Sequence, residues 1–428
     1  MADNTRKCVI LRNKNSDMIK KKMVLLIVAL AVISAKATNV QVIHLQEGEA
    51  IKGYLEDESV PDSLVITGGM SFQDFFDLRD YCVNHTGLTV LNLYNVTAEQ
   101  DQLPLAAFMP DNPLQPDGTF KESRATGLRR VILPKGLKTI GNWAFGYQRN
   151  LNRIDIPETL ETIGIAAFRD CSNLSRVELP KGLNRICNWA FANCTALSEV
   201  NLPEELEYID AEVFYNTGIG EIVVPESVRK IGYGAFACNK HLVKGTLPKS
   251  LRTIPTQLFY ETPINAVVWP DHVEEIDEDA FCGSQFEELQ LPDGLQKIGA
   301  YAFGNNEHLR SVEFPTSLLM VSEAVFQDCP KLTRLVCKAS TPPVLDSSNS
   351  DWCSQVTLYV PQESVDAYRS ASVWKDCKEI VEIDVTAIDP VYRLWGSDTR
   401  VYDLHGHILK GKPSRGIHVK HGRKYSSH

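Results

Sequence analysis

A proline recurs every 22 or 23 residues through the middle of this 428-residue chain, and a phenylalanine follows each one eleven residues later. The nine prolines are Pro134, Pro157, Pro180, Pro203, Pro225, Pro248, Pro270, Pro292 and Pro315. The phenylalanines that accompany them are Phe145, Phe168, Phe191, Phe214, Phe236, Phe259, Phe281, Phe303 and Phe326. A period that stays in phase over nine units predicts a repeat protein before any local structural preference is considered.

Apolar residues recur six, three and one positions before the proline and three and six positions after it. In the unit of Pro180 they are Leu174, Val177, Leu179, Leu183 and Ile186. The alternation of apolar and polar residues before the proline predicts a short strand that the proline ends. One unit buries too little apolar surface to fold alone, so the units must stack. The predicted fold is a repeat solenoid over residues 128–338, with a parallel β-sheet along one face.

The unit consensus is L-x-x-V-x-L-P-x-x-L-x-x-I-g-x-x-A-F-x-x-C, as seen from Leu174 to Cys194. It closely resembles the BspA-like leucine-rich repeats of bacterial surface proteins, over about half of the chain. The resemblance implies a leucine-rich repeat fold of 22–23-residue units. It also implies adhesion to host matrix proteins, host cells or other bacteria. Some units depart from this consensus, as where Gly245 takes the place of an apolar residue. Such departures make single units less regular but do not change the predicted fold.

Residues 38–127 predict an N-terminal cap with an irregular first repeat. We expect a strand at 64–66 and an amphipathic helix at 72–81, followed by a repeat that ends at Phe108. The segment between Phe108 and Leu128 contains three prolines and is too long for a connection between repeats. It is either a functional protrusion or a variable insertion that binds nothing.

Residues 339–379 predict a C-terminal cap. The repeat pattern returns once more without its proline and then stops at Pro342 and Pro343. A strand is expected at 356–360, followed by a short helix that begins after Pro361. Tyr368 and Trp374 are expected to cover the last unit. The ending of this segment also resembles that of many BspA-like proteins.

Residues 1–37 have the features of a signal peptide. Three lysines precede an apolar run from Met23 to Ile33, and an A-x-A site follows at Ala35–Ala37. This run of eleven residues is shorter than the ~20 that a membrane span needs. The true start codon stays open between Met1, Met18 and Met23. We therefore expect a secreted or surface protein, associated with the outer membrane of a Gram-negative bacterium, that has no membrane span after cleavage.

Residues 380–428 form a small basic tail with a different character. Six Lys and Arg residues follow Val401 against one Asp. Its Y-D-L motif at Tyr402 and its G-I pair at Gly416 resemble the sorting or attachment segment of proteins exported by the type IX route. The hydrophobic ending that is usual for that segment is absent. Five of the ten histidines lie in this tail, but their spacing predicts no metal site.

The sequence carries no motif of a known catalytic or cofactor-binding site. There is no Walker loop, G-x-S-x-G, H-E-x-x-H or C-x-x-C sequence. Asp155 and Glu178 occupy equivalent places on adjacent units, but a hydrolase would also need a pocket and aromatic platforms. We predict neither an enzyme nor a cofactor. The formal net charge is −10, and it becomes more negative without the basic leader, which disfavours nucleic acid as a partner.

Two columns of exposed side chains are expected on the sheet, four and two positions before each proline. The candidate partner-binding residues in them are Arg130, Arg153, Asp155, Arg176, Glu178, Glu199, Asn201, Glu221, Val223, Lys244, Thr246, Val268, Glu288 and Gln290. The first units present an arginine stripe beside two carboxylates, and the middle units present a milder, partly apolar patch. Such a surface suits a protein or glycan ligand, and the alternative is that its charges serve solubility alone.

Cysteines recur fourteen residues after the proline in three units. At this place other units have small, weakly polar residues, so the repeat itself explains Cys171, Cys194 and Cys329. Adjacent units bring Cys171 and Cys194 within reach of a disulfide, but reduced packing is the favoured interpretation. Cys353 and Cys377, both in the C-terminal cap, are the better pair.

The function predicted from these observations is that of an exported leucine-rich-repeat protein that binds an extracellular macromolecule. One alternative is a glycan-binding component of a carbohydrate-uptake system at the cell surface. For that role we would expect Trp or Tyr residues on the two exposed columns, and the columns contain none. The other alternative is a structural spacer without a ligand.

Overall fold

The computed structural model describes residues 7–10, 39–56, 60–110, 125–383, 401–402, 408–409, 416–420 and 423–427. The strands are β1 (Lys7–Ile10), β2 (Asn39–His44), β3 (Ser63–Met70), β4 (Val90–Ala98), β5 (Arg130–Ile132), β6 (Thr139–Ile140), β7 (Arg153–Asp155), β8 (Thr162–Ile163), β9 (Arg176–Val177), β10 (Arg185–Ile186), β11 (Glu199–Val200), β12 (Tyr208–Ile209), β13 (Glu221–Val223), β14 (Lys230–Ile231), β15 (Lys244–Thr246), β16 (Thr253–Ile254), β17 (Ala266–Val268), β18 (Glu275–Ile276), β19 (Glu288–Gln290), β20 (Lys297–Ile298), β21 (Ser311–Phe314), β22 (Met320–Val321), β23 (Arg334–Cys337), β24 (Val344–Leu345), β25 (Thr357–Pro361), β26 (Glu379–Ile383), β27 (Val401–Tyr402), β28 (Ile408–Leu409), β29 (Gly416–Lys420) and β30 (Arg423–Ser427).

The strands that precede the prolines pair in parallel from unit to unit and confirm the predicted sheet. We call them the front strands. They form three consecutive sheets, ordered β1-β2-β3-β4-β5-β7-β9-β11, then β13-β15-β17, and then β19-β21-β23-β25-β26. Equivalent positions of neighbouring units stand side by side, as Arg130 does beside Arg153 and Glu221 beside Lys244. The solenoid therefore presents one repeated position as a straight column.

A second set of parallel strands, which the sequence analysis did not predict, follows each proline. These back strands contain two residues each and form the sheets β14-β12-β10-β8-β6 and β16-β18-β20-β22-β24. From β6 to β22, each ends on the buried Ile or Val six residues after the proline, for example Ile186, and β24 ends on Leu345. The residue before it faces outward, so each of these strands contributes only one buried apolar side chain to the sequence pattern. That signal is too short to indicate a strand.

Each unit turns through two residues in the left-handed backbone region, nine and thirteen positions after the proline. Their φ values lie between 47° at Ala324 and 77° at Gly283. Only Gly234 and Gly283 among these positions are glycines, so other residues hold a conformation that costs an L-amino acid about 1–2 kcal/mol. Stacking of the neighbouring units must therefore compensate for this strain.

The compensation includes three backbone hydrogen bonds from each turn to the next unit. In the unit of Pro134, the amide groups nine, eleven and thirteen residues after the proline donate to carbonyl oxygens of the following unit at 2.7–2.8 Å. The amide groups of Trp143, Phe145 and Tyr147 are the donors. The same three bonds recur in every unit through that of Pro292. We call this set the turn ladder.

The phenylalanines stack in one continuous column at the centre of the solenoid. From Phe108 to Phe326 the centroids of successive rings lie 5.2–5.9 Å apart, and each ring is fully buried. Phe75 closes the column edge-on at one end, at 6.1 Å from Phe108, and Trp352 closes it at the other, at 5.3 Å from Phe326. The column joins both caps to the repeats through the same side-chain contact.

Gly245, the departure noted in the sequence, makes room for this column. A Cβ atom placed there would lie 3.0 Å from the Phe259 ring and 3.3 Å from Ile264. The Phe259 ring is inclined by 18° and 27° to its two neighbours, whereas most rings of the column are nearly parallel. The space of the missing side chain is thus filled by the Phe259 ring of the same unit and by Ile264 of the next unit, and the solenoid continues through it.

The side chain fourteen residues after each proline is buried and hydrogen-bonded to a phenylalanine carbonyl in most units. Asn239 donates to the carbonyl oxygens of Phe214 at 2.8 Å and of Phe236 at 2.7 Å. The Sγ atoms of Cys171 and Cys194 donate to the carbonyl oxygens of Phe145 and Phe168 at 3.1 Å. The predicted slot for small, weakly polar residues is confirmed, and its role is to satisfy carbonyl groups that the stack buries.

The N-terminal cap contains the predicted strand, as β3, and the predicted helix, as α1 (Phe72–Asn84). Ser71 and Asp74 begin α1 with a reciprocal pair of hydrogen bonds, which satisfies amide groups that the first turn leaves open. Its buried face packs on the end of the core through Phe75 and Leu78. Two 3-10 helices, Ile51–Tyr54 and Glu99–Asp101, complete this cap.

The C-terminal cap contains α2 (Ser350–Cys353) and α3 (Val365–Ser370). Three 3-10 helices, Ser347–Asn349, Gln362–Ser364 and Trp374–Asp376, flank these helices. Tyr368 donates to the carbonyl oxygen of Ala339 at 2.8 Å, and Trp374 donates to that of Pro343 at 2.8 Å. Both aromatic side chains are fully buried, which confirms their predicted role as a cover over the last unit.

Cys353 and Cys377 form a disulfide across the C-terminal cap, as the sequence favoured. Their Cα atoms lie 4.8 Å apart. Cys171 and Cys194 are both free and buried, which confirms reduced packing in the slot. The cap is thus fixed by a covalent bond, whereas the repeats depend on stacking alone.

Three predicted segments lie largely outside the described residues. The structure describes only β1 of the predicted signal peptide, where it pairs in parallel with β2. The central residues 111–124 of the loop after Phe108 lie outside the description. Of the predicted tail, residues 380–383 belong to β26, which pairs with β25 of the cap, and β27 to β30 form a separate antiparallel sheet ordered β28-β27-β29-β30. The sorting function of the tail stays a prediction.

Candidate functional site

The register of the front strands brings the predicted binding residues into two columns. The column four residues before the prolines contains Arg130, Arg153, Arg176 and Glu199 on the first sheet, Glu221, Lys244 and Ala266 on the second, and Glu288 and Ser311 on the third. The column two residues before the prolines contains Ile132 beside Asp155, Val223 beside Thr246 and Val268, and Gln290 beside Glu313. We call these outward-facing residues the front face. Glu178 and Asn201 are also exposed there, just beyond the ends of β9 and β11.

The predicted arginine stripe is not uniform. Arg130 and Arg153 both donate to the carboxylate of Asp155, at 2.9 Å and 2.7 Å. Side-chain exposure is 26% at Arg130 but 61% at Arg153 and 67% at Arg176. Arg130 and Asp155 are therefore held largely in a local ion pair. The positive charge that the face offers to a partner comes mainly from Arg153 and Arg176.

The carboxylates next to the stripe are partnered by guanidinium groups. Asp155 accepts from two arginines, and Glu178 lies 3.3 Å from the Arg176 Nη2 atom. These ion pairs form a charge ladder along the sheet. The geometry therefore gives no support to Asp155 and Glu178 as a pair of hydrolytic carboxylates. Farther along, Lys244 lies 4.0 Å from Glu221, at the limit of an ion pair.

The middle of the front face has an exposed apolar patch. Val223 is 65% exposed and Val268 is 52% exposed, and they stand on either side of Thr246 in the same column. Val243 is also exposed, next to Lys244. Two acidic residues, Glu199 and Glu288, border the patch and form no salt bridge with any residue that the structure describes. A mixed surface of this kind is typical of the rim and core of a protein interface.

The front face continues beyond the repeats into the C-terminal cap, which the sequence columns did not include. The Cζ atom of Arg334 lies 4.5 Å from the centre of the Tyr359 ring. Glu313 is shared by Lys338, in an ion pair, and by Gln290, at 3.4 Å. Lys338 takes the place of the proline after β23, whereas Pro361 returns in the repeat phase at the end of β25. The sequence columns stopped at Pro315 because the next unit lacks its proline.

The outward side of the back strands differs from the front face. There, charged residues of neighbouring units pair with one another across the repeats. The pairs are Lys138–Glu161, Arg185–Asp210, Arg229–Glu207, Arg252–Glu274 and Lys297–Glu275. On the front face, by contrast, Arg176 pairs with Glu178 of its own unit, and Glu199 and Glu288 form no salt bridge with a described residue.

A group of aromatic residues and one arginine on the turns was missed by the sequence analysis. The Cζ atom of Arg169 lies 5.7 Å from the ring centres of both Trp143 and Trp189. Trp143 also stacks on Tyr147 at 5.8 Å. The Trp143 ring thus contacts both Arg169 and Tyr147 within the chain, so the group is not an open platform for sugar rings. Its members stand nine, twelve or thirteen residues after a proline, where the consensus gives no signal.

Burial in the slot controls the reactivity of its cysteines. Burial raises the pKa of the thiols of Cys171 and Cys194 well above the ordinary value. The more exposed Cys187 also has a raised pKa, again mainly through burial.

We expect iodoacetamide at pH 8 to modify Cys187 in the folded protein while Cys171 and Cys194 stay unmodified, because a buried thiol forms little thiolate. After unfolding in denaturant without a reductant, all three should react. Mass spectrometry of the peptides measures both stages. A mass that shows Cys171 joined to Cys194 after unfolding would contradict the reduced slot.

The described residues contain neither a cluster of metal ligands nor a helix that could span a membrane. No three His, Cys, Asp or Glu side chains in this part of the chain approach closely enough to hold a metal ion. No helix within the described ranges is long and apolar enough to cross a membrane.

Comparison with protein families gives an extensive match. The family model described as the BspA type leucine rich repeat region matches residues 116–243 and 252–381, in 6 copies. These residues make up more than half of the chain. No curated protein matches the sequence at a significant level.

Solved structures of bacterial repeat proteins are similar to this chain. A leucine-rich repeat protein from Bacteroides ovatus ATCC 8483 is 18% identical, with a TM-score of 0.52 over 81% of this chain and 84% of that chain. The pneumococcal vaccine antigen PcpA is 18% identical, with a TM-score of 0.43 over 80% and 83%. A leucine rich cell surface protein from Faecalibacterium prausnitzii A2-165 is 18% identical, with a TM-score of 0.37 over 66% and 83%. The first of these likenesses shows the fold.

Proposed function

Because this chain belongs to the BspA-type leucine-rich repeat family, we propose that it acts at the cell surface or as a secreted protein, by binding another protein through its front face. Its partners would be host matrix proteins, host cells or other bacteria. The basic leader with its apolar run and A-x-A site supports export. The proposed role is adhesion and involves no catalysis.

The exposed charges and the apolar patch of the front face carry this proposal. Arg153 and Arg176 are exposed at one end, and Val223 and Val268 are exposed in the middle. Every one of these residues is fixed on a strand of a stacked solenoid, so a partner would bind a surface that needs little ordering. Charged residues around an exposed apolar centre favour the specific recognition of a protein surface.

The glycan-binding alternative has less support from the geometry. From Arg130 to Gln290 the columns of the front face contain no aromatic side chain on which a sugar ring could stack. The tryptophans of the turns are engaged with Arg169 and Tyr147. No observation favours the spacer over a binding protein, so we give first place to protein binding.

We expect the double variant Arg153→Glu and Arg176→Glu to weaken the binding of an acidic protein partner by at least about tenfold. The melting temperature should change by less than about 4 °C, because exposed charges contribute little to stability. Surface plasmon resonance on immobilised matrix proteins measures the first effect, and calorimetry measures the second.

The matched control is Arg229→Glu with Arg252→Glu on the back strands, which changes the net charge by the same amount. The control should bind nearly as tightly as the unaltered chain. Equal losses in the two double variants would show that net charge governs binding, and the front face would lose its proposed role.

A further inference from the structure

The first column of the front face, four residues before each proline, carries charges whose sign depends on the place along the solenoid. From the unit of Pro157 to that of Pro292 all of its members are exposed, and they are Arg153, Arg176, Glu199, Glu221, Lys244, Ala266 and Glu288. The N-terminal units are positive, and the units after them are mainly acidic with one lysine in their midst. The two ends of the column thus have opposite charges.

The front face does not bend toward or away from a partner, because strands pair on both sides of each unit. Parallel strands lie about 4.8 Å apart wherever they pair, so neighbouring units have the same spacing at the front and at the back. The front sheets break after β11 and after β17, and the back sheets break after β14. At each of these breaks the strands of the opposite side continue the stack. A face of this shape can lie against an equally flat face over many units.

A second copy of the chain complements the first column when it lies face to face and inverted. The twofold axis of this pair runs parallel to the strands, between β13 and β15, so each column meets the same column of the other copy in reverse order. The facing pairs of the first column are Glu221 with Lys244, Arg176 with Glu288, Glu199 with Ala266 and Arg153 with Ser311. Every pair occurs twice, and none joins like charges.

Neighbouring positions of the axis bring like charges together. An axis on β13 places Glu221 against itself, and an axis on β15 does the same with Lys244. Moved by one unit toward the N-terminus, the axis brings Arg176 opposite Lys244. Moved by one unit toward the C-terminus, it brings Glu221 opposite Glu288. Because like charges that face each other oppose binding, the order of the charges selects one register.

The second column, two residues before each proline, gives the same pair an apolar centre. Val223 faces Thr246 of the other copy, and Val268 faces Asn201. Both valines are exposed in the single chain, so the pairing removes from water an apolar surface that the solenoid alone leaves open. Oppositely charged groups around an apolar centre are typical of a protein interface.

The ion pairs within the chain are compatible with this register. Between the units of Pro157 and Pro315, carboxylates of the second column meet only where Asp155 faces Glu313, and each already pairs with a cation of its own chain. Glu288, by contrast, forms no salt bridge with any described residue, and it is the group that Arg176 of the other copy faces. The pairing therefore supplies a cation to a carboxylate that the described chain leaves without one.

We propose that the front face also binds a second copy of this chain, face to face and inverted about the axis between β13 and β15. The C-terminal ends of the two chains then point in opposite directions. Chains attached by the same end to two facing cells meet in this orientation, so the pairing joins cells that display the same protein. The inference rests on the protein-binding role proposed above and identifies one partner of the same face.

A single pair of chains is expected to bind weakly. The facing units extend over about 35 Å, and the two columns lie only about 7 Å apart, so the contact is narrower than that of most stable complexes. Many copies on one surface compensate for weak single contacts. The suitable measurement is therefore the clustering of beads that each carry many chains.

Beads coated with the full chain should form clusters, which flow cytometry counts. Lys244→Glu places a carboxylate opposite Glu221 of the other copy, and Glu221→Lys places a cation opposite Lys244. Beads that carry either variant alone should therefore form at least about tenfold fewer clusters. Undiminished clustering of both variants, or no clustering of the unaltered chain, would overturn the inference.

Beads of the two variants, in two colours, provide the sharper comparison. In the mixture each substituted residue faces an opposite charge of the other variant, so clusters of both colours should form again. Recovery also shows that both variants are folded. Each substitution changes a formal net charge of −10 by two, so both variants stay negative and general attraction does not join them. A mixture that stays dispersed would contradict the proposed register.

The matched control variants are Glu207→Lys and Arg229→Glu on the back strands. They also break an ion pair between neighbouring units and change the net charge by the same amounts. Beads with either control variant should cluster as the unaltered chain does. Equal losses in the controls would mean that net charge governs clustering, and the second copy would lose its place on the front face.

The binding of matrix proteins is measured separately, with the Arg153 and Arg176 double variant. Chains that bind a matrix protein through the front face but do not cluster beads would overturn the second copy as a partner and leave the protein-binding role in place.

Discussion

Replacement of Phe214 by alanine is expected to lower the free energy of unfolding by about 4 kcal/mol. The ring is fully buried and stacks on Phe191 at 5.5 Å and on Phe236 at 5.8 Å. Its removal leaves a cavity in the column that the units on both sides cannot fill, because the turn ladder fixes their spacing. Urea denaturation followed by circular dichroism measures the change.

The matched control is Tyr233→Ala, which removes an aromatic ring of similar size that is 48% exposed. It should cost less than about 1 kcal/mol, since little buried area is lost. Similar losses in the two variants would mean that the phenylalanine column does not carry the stability of the stack. A sloped transition in place of a single sharp one is expected for Phe214→Ala, because units coupled only to their neighbours unfold in part when one contact is removed.

Replacement of Asn239 by alanine is expected to lower the free energy of unfolding by about 3 kcal/mol, although a side chain of only moderate size is lost. The Asn239 amide nitrogen donates to two phenylalanine carbonyls, and its oxygen accepts from the amide and the hydroxyl of Thr217 at 2.7 Å and 2.5 Å. All four of these groups become unpaired in a space that water does not reach. Denaturation by urea again measures the loss.

Asn265→Ala provides the control, because Asn265 is exposed and its side chain forms no hydrogen bond within the described part of the chain. It should change the stability by less than about 0.5 kcal/mol. A second comparison is Asn239→Cys, which places in this slot the residue that Cys171 and Cys194 provide in theirs. The cysteine should recover part of the loss. A cost for Asn239→Ala as small as that for Asn265→Ala would contradict the role of the slot.

The repeat phase made the front of the solenoid predictable. A proline and a phenylalanine at constant separation define which residues alternate outward, and the register then places Arg153 beside Arg176 and Val223 beside Thr246. The place of a residue within a stacked repeat thus follows from the sequence alone. The pairing of Asp155 with two arginines was not predictable in the same way, because it depends on side-chain conformations that the spacing does not determine.

The backbone conformation of the turns could not be predicted from the sequence, for a different reason. Their left-handed residues include Trp143, Ala166 and Glu212, which carry no signal of that conformation. The hydrogen bonds of the turn ladder join backbone groups, which every residue type except proline provides equally. For the same reason the end of the ladder has no sequence signature. The structure shows that Phe326 and Asp328 lack, among the described residues, the acceptors that their counterparts have.

Within the repeats, most of the sequence therefore specifies stacking, and the residues that are free to serve recognition are few. The phenylalanines and the slot residues are buried, and the apolar residues beside the prolines are buried or half-buried. The exposed charges of the back strands are largely paired with one another. Among the described repeats, the front face is therefore the main surface left for a partner.

Binding of the exported chain to arrays of matrix proteins and polysaccharides, at a low and a high salt concentration, tests the central claim most directly. We expect saturable binding to at least one protein, with an affinity that falls at high salt because exposed charges of the front face contribute to it. The affinity should also fall in the Arg153 and Arg176 double variant. Saturable binding to polysaccharides alone, or no binding on either array, would contradict a protein-binding front face.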